Sequence, residues 1–138
     1  MTVAPLQSKN VRLRSSIESI GEVEGLINTI FEDYDLSPDY YGNMLVALTE
    51  AVNNAVVHGN KLNPGIDVDL SFHHKGDEFQ FIIKDSGTGF DYKNIPDPTS
   101  PENIDKPDGR GIFLMKNLAD RVNFLDDGRQ VELIFKAF

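Results

Sequence analysis

The sequence predicts a two-layer α+β sandwich: a mixed, mainly antiparallel sheet with about three helices on one face, built as a single domain over residues 1–138. Three observations lead there. Several short segments alternate apolar and polar residues with period two, and turn residues separate them. Three longer segments repeat apolar residues at helical spacing. At 138 residues, the chain is long enough to bury one core unaided.

In chain order, VRLR at 11–14 alternates as a short strand does, and Ser15 with Glu18 has the spacing of a helix capping box. A first helix follows, its stripe formed by Ile20, Val23, Ile27, Ile30 and Phe31. Ser37 and Pro38 are the next start signal, a capping side chain and then a residue whose missing N–H costs nothing in a first turn. The second helix runs from about 38 to 58 and stops at Gly59-Asn60. After the Asn63-Pro64-Gly65 turn, Ile66, Val68, Leu70 and Phe72 alternate with Asp67, Asp69, Ser71 and His73 as a half-buried strand. Lys75-Gly76-Asp77 reverses the chain, Phe79, Phe81 and Ile83 face inward, and the same period carries that face to Asp85. About twenty residues, FDYKNIPDPTSPENIDKPDG, then lack periodicity and hold four of the seven prolines; such loops in compact domains are functional or disordered. Gly109-Arg110-Gly111 opens a third helix with the stripe Leu114, Met115, Leu118 and Val122, and a hairpin closes the chain: NFL, a DDGR turn, VELIF.

Composition narrows the function. Hydrophobic residues at 40% and charged residues at 25% are ordinary for a globular protein. The net charge of -9, with Lys and Arg scattered, disfavours a nucleic-acid partner. Without cysteine there is no disulfide framework and no thiolate zinc site. No apolar run has signal-peptide or membrane-span length, so a cytoplasmic protein with small-molecule or protein partners is expected.

Three places carry polar groups where the patterns ask for apolar ones. On the second helix Tyr41, Leu45, Leu48, Val52, Ala55 and Val56 cluster on one side, and Glu50 and Asn54 lie nearly opposite, flanked by Val46, Ala47 and Val57. The pair is either a solvated face or a site, with Asn54 offering a neutral oxygen to a hard cation such as Mg²⁺ and Glu50 placed to act as a base. His58, one turn on, is equally a helix-end histidine or a ligand. Asp85 is either a strand-end turn aspartate or a buried carboxylate needing a donor, such as a purine amino group. Gly87 and Gly89 would let a flat ligand approach the backbone. Gly109-Arg110-Gly111 at a helix start is a simple turn or an anion site. A P-loop pattern and a metalloprotease histidine pair are both missing.

Taken together, Glu50-x-x-x-Asn54, then Asp85-x-Gly87-x-Gly89-Phe90, then a long loop and Gly109-x-Gly111, resemble the nucleotide motifs of the GHKL ATPases, which share the Bergerat fold. TEAVNNAVVHGN, DSGTGFD, IPDPTSPEN and GRGIFLMKNLADRV resemble most closely the anti-sigma-factor serine kinases, over essentially the whole chain from Val11 to Lys136. The resemblance implies ATP and Mg²⁺ as cofactors, Asn54 on the metal, Glu50 as general base, and Asp85 on the adenine amino group with Gly87, Gly89 and Phe90 about it. It implies a lid over about 91–108 and phosphates held by Gly109, Arg110, Gly111 and Ile112; the place of Lys106 and Arg110 by that lid makes them candidates for charge stabilisation. It further implies a homodimer that phosphorylates an anti-anti-sigma antagonist and switches partners with a sigma factor, without membrane or nucleic-acid contact. One departure is visible: Gly128-Arg129-Gln130-Val131 stands where the family often has Gly-Thr-x-Val, so Gln130 or Thr88 would have to replace the threonine's contact. Three other readings compete. A histidine-kinase catalytic domain would need a phosphoaccepting hairpin for which 138 residues leave no room, an ATP-dependent protein-binding module without kinase activity would not need Glu50, and in a plain α+β domain the motifs would have to coincide by chance.

Overall fold

The computed structural model describes residues 7–63, 65–87 and 110–136. Five strands, β1 (Ser8–Arg14), β2 (Asp67–Lys75), β3 (Glu78–Lys84), β4 (Arg121–Leu125) and β5 (Gln130–Lys136), form one sheet in the order β1-β2-β3-β5-β4. All its pairings are antiparallel. Period-two patterning explains the register. Val11, Leu70, Ile83, Val131 and Phe124 stand opposite one another across all five strands, giving one apolar row on the inner face. On the outer face the neighbouring row is Asn10, Ser71, Ile82, Glu132 and Asn123, and polar pairs tie it together: Asn10 Nδ2 donates to Ser71 Oγ at 3.2 Å and Asn123 Nδ2 to Glu132 Oε1 at 2.7 Å.

Three helices, α1 (Ile20–Tyr34), α2 (Tyr41–Asn53) and α3 (Arg110–Leu118), share one core with the inner face, and α2 touches both α1 and α3. The layers are those expected. α1 buries Val23, Leu26, Ile27 and Ile30. Its start differs from the capping box expected at Ser15 and Glu18. A 3-10 turn, Ile17–Ser19, precedes it, Ser16 Oγ donates to Glu18 Oε2 at 2.8 Å, and Ser15 is turned inward at 1% exposure. Ser37 caps as predicted, accepting the Asp39 N–H at 3.2 Å ahead of the Pro38–Tyr40 turn that leads into α2.

α2 buries Met44, Ala47, Leu48, Ala51 and Val52, so its core face is centred closer to Ala47 than the sequence pattern indicates. Val46, expected to enclose the polar pair, is 39% exposed. The helix does not simply stop: Asn54–Gly59 widens into a π turn, closed by Asn60 N–H on Ala55 O at 2.8 Å. α3 buries Ile112 and Met115 together with Ala119 just beyond it, and it is shorter than its predicted stripe. Val122 lies in β4 because Asp120 diverts the chain onto the sheet: its N–H donates to Ile134 O at 2.9 Å and its Oδ2 accepts the Lys136 N–H at 2.7 Å. Among the described residues no helix is long and apolar enough to cross a membrane.

Candidate functional site

Glu50 and Asn54, one turn apart at the end of α2, are half-buried. Helix periodicity alone leaves open what they face. The answer is the first turn of α3: a β-carbon built on Gly111 would lie 2.8 Å from Glu50 Oε2, 3.4 Å from Asn54 Nδ2 and 3.5 Å from Asn54 Oδ1. The carboxylate and the amide therefore converge on a glycine in the first turn of α3, the end at which a helix has N–H groups without intrahelical partners and its positive dipole end. Gly111 is buried, and the Ile112 side chain sits in the core at 6% exposure.

Asp85 leaves β3 on the inner face and is 7% exposed. It is pinned from several sides: its N–H donates to Arg129 O at 2.9 Å, and its Oδ1 accepts the Gly87 N–H at 2.8 Å. The backbone of the π turn closes against it. A β-carbon on Gly59 would lie 2.4 Å from Asp85 Cγ, and one on Gly87 would lie 1.9 Å from Gly59 O, so glycine is required where these two segments cross. Burial pushes the Asp85 carboxyl above its ordinary range. The Gly87 N–H and the Arg129 guanidinium pull the other way, and the Asp126 charge adds to the rise. Arg129 is itself held by Asp126, Nη2 to Oδ1 at 3.3 Å. Asp85 Oδ2 accepts no hydrogen bond among the described residues, leaving an oxygen for a donor brought by a ligand.

The site thus has two ends joined by one element. α2 supplies Glu50 and Asn54 to one end, and its π extension supplies Gly59 to the other. Asn54 Oδ1 and Glu50 provide oxygen donors, while the described residues contain no group of three or more His, Cys, Asp or Glu that could hold a metal alone. Such a sparse set suits Mg²⁺, which keeps waters and takes further oxygens from phosphates. His58 is exposed at the π turn. Of the other predicted residues, Thr88, Gly89, Phe90, Lys106, Gly109 and the lid at 91–108 lie outside the described residues, and Arg110 begins α3. Gln130 opens β5 opposite Lys84 and Leu125, half-buried. Gly59 and Asn60, read from the sequence only as a helix stop, also shape the site, and Arg129, noted there at the Gly128-Arg129-Gln130-Val131 departure, anchors Asp85 through its carbonyl. A Gly-Asn stop looks alike in any helix, so the pattern held no sign of them.

Residues 13–135 match the family model of the histidine kinase-like ATPase domain. Among curated proteins similar to the chain is the Serine-protein kinase RsbW of Staphylococcus epidermidis, 31% identical over 132 residues that cover 90% of this chain and 83% of that protein. The protein of the same name from Staphylococcus aureus strain JH9 is 30% identical over 128 residues, covering 85% of this chain and 80% of that protein.

Proposed function

Since the chain belongs to the family of histidine kinase-like ATPase domains, we propose that it is a serine kinase that binds Mg-ATP and transfers the γ-phosphate to a serine of an anti-anti-sigma antagonist protein. The observation that carries this reading is the meeting of the Glu50 carboxylate and the Asn54 amide at Gly111, where α3 begins. A base, an oxygen donor for a hard cation and a helix N-terminus then share one place. Asp85 accepts the adenine amino group through Oδ2 at the other end.

Phosphoryl transfer asks a protein mainly for positioning and charge neutralisation. Asn54 Oδ1 would hold Mg²⁺, which when bound offsets the charge on the phosphate oxygens. The N–H groups of Gly111 and Ile112, with those of Gly109 and Arg110, hold the phosphates and stabilise charge there. Glu50 takes the proton of the substrate serine hydroxyl as its oxygen bonds to the γ-phosphorus; the bond from that phosphorus to the β,γ-bridging oxygen breaks, and ADP carries away the electron pair. A general base is worth roughly 10²- to 10⁴-fold. Gly87, Gly89 and Phe90 line the base pocket, and Lys106 on the lid at 91–108 stabilises charge. In the same proposal, a homodimer holds a sigma factor, or releases it on binding unphosphorylated antagonist.

The test mixes the chain with Mg-ATP and a purified antagonist and follows phosphate onto serine by mass spectrometry. Transfer by the wild type, and a loss of two or more orders of magnitude for Glu50→Gln, are expected. Tight ATP binding with no transfer would instead assign an ATP-dependent protein-binding module. Equal rates for Glu50→Gln and wild type would remove the base.

A further inference from the structure

We propose that Asn60 is the positioning residue of the base pocket, holding the Asp85 carboxylate where it reads an amino group on the nucleobase. The proposal rests on the assignment of Asp85 to adenine given above. Asn60 is 3% exposed, and its side chain joins three segments at one end of the sheet. Its Nδ2 donates to Ser15 Oγ at 2.9 Å, where β1 ends, and to Asp67 O at 3.2 Å, where β2 begins. Its Oδ1 accepts the Ser86 N–H at 2.8 Å, directly after β3. Ser15 completes the chain by donating to Ile66 O.

The third of these bonds points to function. Closing the sheet end needs only the first two, which tie β1 to β2. The bond to Ser86 instead fixes the peptide between Asp85 and Gly87, the two residues whose own hydrogen bond orients the carboxylate. Backbone groups also position Asp85: Arg129 O, the Gly87 N–H and the crossing at Gly59. Asn60 adds a side chain from outside the turn that grips it, and it stands next to Gly59, which abuts the carboxylate. Without the Oδ1 acceptor the Ser86 N–H is left unsatisfied in a part-buried place, and the turn rotates to find another partner. Oδ2 then loses its aim while the phosphate end of the site, built on Glu50, Asn54 and Gly111, is left intact.

The experiment measures, by calorimetry on the full chain, the affinity for ATP and for purine riboside triphosphate, which lacks only the amino group. One hydrogen bond to a carboxylate gives a wild-type preference for ATP of at least about tenfold. Asn60→Ala is expected to reduce that preference to within about threefold by weakening ATP and sparing the analogue. Asn60→Asp, which keeps an acceptor for Ser86, retains it. Asn60→Ser, which leaves room for a water, replaces the alanine variant if that does not fold. Ser15→Ala is the control: it lowers the melting temperature but keeps the preference. If Asn60→Ala weakens both nucleotides equally, or Ser15→Ala loses the preference to the same extent, Asn60 is structural only and the proposal is overturned. Asp85→Asn separates the two levels. Its losing the preference while Asn60→Ala keeps it sinks only the positioning role, whereas an unchanged preference in Asp85→Asn overturns the adenine assignment and this proposal with it.

Discussion

Replacing Gly111 by alanine should separate catalysis from folding. The added β-carbon would sit 2.8 Å from Glu50 Oε2, and an ordinary contact is about 3.4 Å, so the carboxylate must retreat by about 0.6 Å. It can do so cheaply, being the free end of a flexible side chain, and the Asn54 amide at 3.4 and 3.5 Å needs no movement. Alanine in a helix also gains about 0.5–1 kcal/mol over glycine. Melting temperature should therefore hold to within a few degrees or rise slightly. Transfer should not hold, because displacing a reacting group on the order of 1 Å costs about a hundredfold. The assay is phosphate transfer to the antagonist at saturating ATP, beside a thermal melt. A cycle with Glu50→Gln checks the cause: once the carboxylate is gone, Gly111→Ala should cost little more. A variant that melts well below wild type yet transfers normally would refute the packing of α3 on the polar pair. An undiminished loss in the Glu50→Gln background would show that the alanine acts on the phosphates and not through the base.

Gly59→Ala should behave oppositely, because its β-carbon would meet a carboxylate that Gly87 already holds, 2.4 Å from Cγ; a loss of about 1–3 kcal/mol in denaturant unfolding and of ATP affinity is expected. Gly25→Ala, on the exposed side of α1 with nothing within 4 Å of the new carbon, should stabilise by about 0.5–1 kcal/mol in the same measurement. For Asp85 the folded carboxyl lies above its unfolded value, so the folded state holds the proton more tightly and wild-type stability falls as pH rises through that range. Melts of Asp85→Asn against wild type should accordingly favour the variant more at pH 7 than at about pH 4, while ATP binding is lost; a difference independent of pH would contradict the buried carboxylate.

The layers and most elements were legible because they rest on periodicity. Phe72, Phe79 and Phe81 could face only a core, and Ser37-Pro38 only a helix start. Glu50, Asn54 and Asp85 stood out because they broke that periodicity. Illegible were matters decided between segments distant in sequence. Ser15 and Glu18 have the right spacing for a cap, but Ile66 and Asn60, far along the chain, claim the serine. Val122 fits a helical stripe equally well until β5 offers Asp120 a partner. Nor does any local pattern announce a π turn, since one added residue leaves the apolar spacing almost unchanged.

That turn makes the second helix a ruler. One continuous stretch sets the separation between the Glu50–Asn54 pair and Gly59, which abuts Asp85, so the span is encoded in a residue count and not in any side chain. Deleting one residue between Asn54 and Gly59 would close the wide turn to an ordinary helical one, and deleting a second would swing everything after it by about 100°. Asn60 would leave Ser15 and Ser86, and Gly59 would leave Asp85, although Glu50, Asn54 and Asp85 all remained in the sequence. The most damaging change to this site is therefore one of length, and not the loss of any of its three polar side chains.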